Sequence, residues 1–403
     1  MAPVVIALGM VSLLTDVSSE SVSAILPLYL TSVLGISAIA YGFIDGLYQG
    51  VSALVRIAAG WASDRGDHPK WVALTGYGIS AVARLVLVFA GGVGSVVGVV
   101  TADRIGKGIR TAPRDVMISA SSDPRHLARA FGVHRTLDTV GAALGPLVAF
   151  GILWLVPGGY RVVMLVSFAF AVLGVAVLLL LVPDLRPREL LPPKRPPTAR
   201  PAPVTATPRP VRWRQTFNPD LSRLLVIGGG LALFTVGDGF IYLALLDRSE
   251  FATYWFPLLY VGTNIAYVAL ALPLGRLADR FGRGKVLVLG HLALVAAYVS
   301  AAVPVAGAVP SILTLALLGT FYAATDGVLA AVASRTVPPG LRGSGIAAAQ
   351  TVVAVGRLVA SAIFGLLWFA VGPTAALTCV AGVLLLLVPC ALVLVGHVRE
   401  GEA

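Results

Sequence analysis

Apolar residues fill this chain in stretches of about twenty or more, the length a helix needs to cross a bilayer, and short polar breaks separate them. Twelve spans are predicted, at residues 3–30, 38–60, 71–91, 95–119, 126–156, 161–182, 222–246, 252–274, 286–305, 310–335, 342–370 and 374–396. They form two sets of six around residues 183–221, which hold eleven prolines and eight Lys/Arg against three acids. Such a segment can neither continue a helix nor bury a core, and it reads as a linker. The expected organisation is a six-helix bundle over 1–182, a Pro/Arg-rich linker over 183–221 and a second six-helix bundle over 222–403. The fold class is all-α integral membrane, with two pseudo-symmetric bundles.

Composition agrees with that reading. Of 403 residues 57% are hydrophobic and 12% charged, with mean hydropathy +0.89, whereas soluble domains are about a quarter charged. The net charge of +11 does not point to nucleic acid, because the cations sit in loops between spans. One alternate set of loops, the linker and Arg223 included, carries nineteen Lys/Arg, and the other carries two, Arg161 and Arg248. The positive-inside rule then places both termini in the cytoplasm of a multi-pass protein of the plasma (inner) membrane. The first apolar run carries acids and lacks a basic leader and cleavage site, so it reads as a first span. Cys379 and Cys390 are eleven residues apart in the last span, roughly 16 Å along a helix and too far to pair. They read as small core residues.

The halves repeat one another. Gly60–Lys70 (GWASDRGDHPK) and Gly275–Lys285 (GRLADRFGRGK) are one basic loop written twice, 215 residues apart. Arg129-Ala-Phe-Gly132 precedes the fifth span as Arg342-Gly-Ser-Gly345 precedes the eleventh. These loops resemble the signature loop of the major facilitator superfamily, Gly-x-x-x-Asp-Arg-x-Gly-x-x-Lys. The second copy matches fully through Gly275, Asp279, Arg280, Gly282 and Lys285; in the first, Gly60, Asp64, Arg65 and Lys70 match while the second glycine slips to Gly66. The resemblance implies a latch between the halves, with Asp115 at the end of span four as its neighbour. The leading glycine would let helices approach closely, and the acid can face a helix N-terminus.

Span four is the least lipid-like. Asp103, Lys107, Arg110 and Arg114 share one face, with Arg104 on an adjacent stripe. Charges this deep must face protein or water. Arg104-Ile-Gly-Lys107-Gly108 resembles the Arg-x-x-x-Gly signature of proton-coupled members of the superfamily, in which the arginine tunes a nearby acid. In span five, Gly141-Ala-Ala-Leu-Gly145-Pro146 resembles the antiporter motif, although its closing glycine pair is Ala149-Phe150 here. That motif implies an exporter of the drug–proton antiporter branch.

The candidates for proton coupling are Asp16, Glu20, Asp45, Asp103, Arg104 and Asp138, since a buried carboxyl can exchange a proton as its surroundings change. Asp16 is favoured, with Arg104 as its expected partner. Structural ion pairing with Arg84, Arg104 or Lys107 is the alternative for each acid. His134 lies near the cytoplasmic end and reads as solvated. The second half holds few deep ionisable groups, Asp238, Asp326 and Arg357. Aromatics with sparse polar groups suit a small-molecule pocket, so Gln49, Lys107, Tyr260, Asn264, Tyr267, Tyr322 and Asp326 are the substrate-binding candidates. The function expected is secondary active transport, a proton-coupled efflux of a small molecule by alternating access. A symporter or importer of an anionic metabolite is the alternative, served by the deep first-half cations. No Walker loop, His-Glu-x-x-His or Gly-x-Ser-x-Gly elbow occurs, so neither ATP drive nor an enzyme is expected. The partners are substrate, protons and lipid, with no cofactor, metal or nucleic acid, and the carrier is expected to be a monomer.

Overall fold

An apolar run in lipid must satisfy its own backbone, and the helix does this within one segment. The computed structural model describes residues 3–65, 68–123, 126–184, 218–248, 251–305, 307–338 and 341–398, without the side chains of 57–65, 128 and 342. Among them every regular element is helical: α1 (Pro3–Ser23), α2 (Leu26–Leu28), α3 (Ala38–Arg65), α4 (Pro69–Leu87), α5 (Val93–Ala120), α6 (Leu127–Leu155), α7 (Tyr160–Leu181), α8 (Pro219–Ala232), α9 (Asp238–Arg248), α10 (Phe256–Phe281), α11 (Arg283–Ala302), α12 (Ala308–Arg335) and α13 (Arg342–Val395). Most of the linker, 185–217, lies outside the described residues.

These helices trace the twelve crossings. Eight segments are long and apolar enough to cross a membrane by composition alone. One of them, within α13, carries two crossings, divided at Gly372, whose φ of 81° lies in the left-handed region ahead of Pro373. The remaining crossings are α4, the polar α5 and the interrupted α8–α9.

The halves repeat in their packing. In the first, α1 packs on α6, α5 on α3 and α4, and α4 on α7; in the second, α8 packs on α13, α12 on α10 and α11, and α11 on α13. Each pair in one set has its counterpart in the other. The halves meet through α3 against α13 and α6 against α10.

Spans one and seven are not the continuous helices that the sequence predicts. Span one breaks after Ser23 and resumes at Leu26, ending in a π-helical turn over Tyr29–Val33. Pro27 explains the break, because it has no N–H to bond the carbonyl of Ser23. Span seven opens between Ala232 and Asp238. There the hydroxyl of Tyr298 donates to Phe234 O (3.0 Å) and accepts from Val236 N (2.8 Å), replacing lost helix bonds. Both breaks lie beside the central cavity, where non-helical backbone is tolerated because it does not face lipid.

The repeated basic loop is also tighter than expected. Helix α10 runs to Phe281 and α11 starts at Arg283, so Gly282 alone makes the turn, with φ 99°. Gly275 meets nothing within 4 Å and is not a helix contact in this conformation. Both cysteines are exposed on the outside of the bundle rather than in its core, since the last arm of α13 is apolar all round and hydropathy does not distinguish lipid from core.

Candidate functional site

Contacts between the halves gather at the end of the helices away from the 275–285 turn, here called the far end. Along α3, Gly42, Gly46 and Gly50 recur every fourth residue and lie against α13. A Cβ on Gly42 would stand 2.4 Å from Ser361 O, and one on Gly46 would stand 2.6 Å from Leu358 O. Ser361 donates to Asp45 across this seam (2.7 Å). Tyr41 packs edge-on against Phe240, with centroids 4.6 Å apart, and Phe150 packs against Trp255 at 5.5 Å.

Below the seam a cavity of about 360 Å³ lies between the halves. Its wall includes Glu20, Asp45, Gln49, Arg104 and Lys107 from the first half, with Tyr260, Asn264, Tyr267, Tyr322 and Asp326 from the second. The structure thus brings all seven substrate-binding candidates to one surface, together with three of the proton-coupling candidates. Asp238, at the start of α9, joins them and accepts from the Tyr322 hydroxyl at 2.7 Å. A second chamber of about 330 Å³ shares Gln49, Arg135 and Asp326 with the first and adds Arg56, His291 and Arg357.

Three candidates lie off the cavity wall. Asp103 is buried between Arg84 (2.9 Å) and Arg104 (2.5 Å). Arg104 is therefore held by its own neighbour and by the face of Tyr48, 3.8 Å from the ring centroid, rather than by Asp16 as expected. The predicted single face of α5 is split. Arg110 turns to the ring of Tyr77 on α4, Lys107 to Glu20 at 4.0 Å, and Arg114 to Asp138 at 3.7 Å. Long side chains reach neighbours on three helices, which spacing along one helix does not reveal.

Asp16 is buried on α1, beside Asp138 of the neighbouring α6. Two acids placed side by side oppose each other's ionisation, and Arg114 reaches Asp138 from α5 at 3.7 Å. Arg135 also reaches Asp138, at 3.3 Å. His134, expected in solvent, is buried with a ring nitrogen 2.9 Å from Ser12 Oγ. The small residues of span five admit α1 close to α6: a Cβ on Gly141 would stand 2.5 Å from Leu13 O, and one on Gly145 would stand 2.8 Å from Ser21 N. Pro146 is buried in the same turn region. Gly145→Val should lower the melting temperature and carrier yield, since overpacking against backbone costs roughly 1–3 kcal/mol or more. Unchanged thermal stability would show that α1 and α6 can separate.

Of the gating-loop residues, Asp279 accepts from Arg283 (2.8 and 2.6 Å) at the start of α11, and Arg280 lies 5.6 Å from the Phe281 ring centroid. Asp115 pairs with Arg114 at 3.2 Å. The side chains of Gly60, Asp64 and Arg65 lie outside the described positions.

Tyr41, Tyr242, Ser361 and the Gly42/Gly46/Gly50 series join the site although none is among the sequence candidates. The glycine spacing was a readable signal of a close helix contact. The tyrosines and Ser361 carried no local signal, because their role depends on the opposite half.

The model of the Major Facilitator Superfamily matches residues 8–360 and, in an overlapping second match, 249–402. The chain belongs to the Major Facilitator Superfamily. An uncharacterized MFS-type transporter of Methanocaldococcus jannaschii is 30% identical over 375 residues, 90% of this chain and 87% of that protein. Among solved structures, a mutant of the peptide transporter POT in complex with sulfate aligns with TM-score 0.79 and 14% identity over 100% of this chain and 96% of its own. A mutant of the nucleoside transporter NupG aligns with TM-score 0.78 and 14% identity over 97% and 99%. The chain is thus a multi-pass membrane transporter of the MFS type, and its relatives imply a small-molecule substrate.

Proposed function

We propose that this transporter couples proton movement to efflux of a small molecule by alternating access. The observation that carries the proposal is the placement of the buried Asp16 beside the half-buried Asp138, one turn of α1 from Glu20 and near Lys107 of the cavity wall. A proton held there links the charge state of the first half to the position of α1 and α6. Alternating access requires only that proton and substrate differ in preference for the two conformations. The export direction is supported by the resemblance of Gly141, Gly145 and Pro146 to the antiporter motif.

In this reading the two bundles, 1–182 and 222–403, rock about the cavity, with the linker joining them. The termini and the basic turns face the cytoplasm of the inner membrane, so a seam closed at the far end leaves the cavity open inward. The paired loops, with Asp279 and Asp115, act as the latch of the opposite state. A second reading, import of an anionic metabolite, is favoured by Arg56 and Arg357, which form no ion pair among the described residues and face one chamber.

Everted vesicles carrying a pH-sensitive dye separate the two. A substrate identified by thermal-shift screening should dissipate an established acid-inside gradient on addition. Substrate flux with no accompanying proton movement would overturn the coupling.

A further inference from the structure

The far end of the cavity contains two acids, Asp45 and Asp238, with no cation in ion-pair contact among the described residues. Asp45 comes from α3 in the first half and Asp238 from α9 in the second. They adjoin across the seam: the Asp45 carboxylate occupies the place where a Cβ on Gly237, the residue before Asp238, would be. Neither forms an ion pair among the described residues. Asp45 accepts from Ser361 at 2.7 Å and Asp238 from Tyr322 at 2.7 Å, a neutral hydroxyl in each case. The guanidinium of Arg357, 5.8 Å from the Tyr322 ring centroid, is the nearby positive charge, but it forms no ion pair with either acid. Charges this deep require a partner.

The surrounding wall is aromatic. Tyr242 and Tyr260 stand nearly perpendicular, with centroids 4.6 Å apart, and Tyr322 closes a further side. Tyr41 also lines the chamber. It is 2% exposed, and its hydroxyl has no hydrogen-bond partner. An orphaned buried hydroxyl costs free energy unless a ligand meets it. Ring faces attract ammonium groups, and carboxylates beside them add charge complementarity.

We propose that Asp45, Asp238, Tyr41, Tyr242, Tyr260 and Tyr322 form the site for an organic ammonium group of the substrate. The site is assembled from both halves and is complete only while the far-end seam is closed, so ammonium binding favours that conformation. The inference deepens the transport reading by naming a substrate class. It is tested at equilibrium without a gradient, so failure of proton coupling would leave it standing.

Purified full-length carrier is titrated with benzyltrimethylammonium, benzylamine, benzyl alcohol and benzoate, following thermal stability and heat of binding. Both cations should bind and stabilise the protein, roughly tenfold or more tighter than benzyl alcohol. Asp45→Asn and Asp238→Asn should each weaken the cations roughly tenfold or more, and Tyr41→Phe roughly fivefold. In wild-type protein, where folding is not in question, benzyltrimethylammonium should protect Asp45 and Asp238 from carbodiimide labelling read by mass spectrometry. The proposal is overturned if no cation binds, if benzyl alcohol or benzoate binds as well as the cations, or if cation binding leaves the labelling unchanged. Benzoate binding lost in Arg357→Gln would instead assign the cavity to anions.

Discussion

Asp16→Asn is expected to abolish gradient-driven flux while substrate binding and counterflow exchange persist. The asparagine keeps the size of the side chain, so α1 and α6 should remain packed through Gly141 and Gly145. What is lost is a carboxyl able to gain and release a proton. In the wild type Asp138 stands beside it, while Lys107, beside Glu20 at 4.0 Å, offers a nearby positive charge when the proton leaves. Opposite charge favours the ionised form of a carboxyl and a neighbouring carboxylate disfavours it, so a small movement of α1 relative to α5 and α6 changes which form is held. The measurement is substrate flux in vesicles with an imposed pH gradient, alongside exchange without one. Full gradient-driven flux in Asp16→Asn would remove this residue from the coupling. A parallel loss in Asp138→Asn would show that the pair acts as a unit.

Gly46→Val should block transport by a different route. Its added side chain would meet the carbonyl of Leu358 at 2.6 Å, and a backbone atom cannot rotate aside. The strain falls only on the conformation in which α3 lies against α13, so the variant should fold and populate the opposite state. Overpacking of roughly 1–3 kcal/mol displaces a two-state equilibrium about five- to more than a hundredfold. The check is a cysteine pair at Phe150 and Trp255, whose rings are 5.5 Å apart across the closed seam, with Cys379 and Cys390 replaced by serine. A short bis-maleimide should link the pair efficiently in the parent and poorly in Gly46→Val. Equal cross-linking and normal transport would mean that the glycines are not what permits closure.

By itself the sequence determined the membrane class, the twelve crossings, the two-half organisation and the polar character of α5. These depend on local quantities, namely the length of an apolar run and the cost of a charge within it. It also marked seven polar and aromatic residues that line the cavity, though not Tyr41 or Tyr242, because a polar side chain in an apolar span has few places to go. The glycines of α6 and the basic turn before α11 were legible for a similar reason: their spacing is a local pattern. Tertiary structure decided the pairing. That Arg104 binds Asp103 and not Asp16, that His134 is buried against Ser12, and that Cys379 faces outward all follow from which helix stands opposite. The breaks at Pro27 and Gly237, and the meeting of Asp45 with Ser361, likewise arise where the two halves converge on one cavity. A side chain on a helix can reach any of several neighbours at nearly equal local cost. The choice among them is made by packing between segments hundreds of residues apart, which no window of sequence contains.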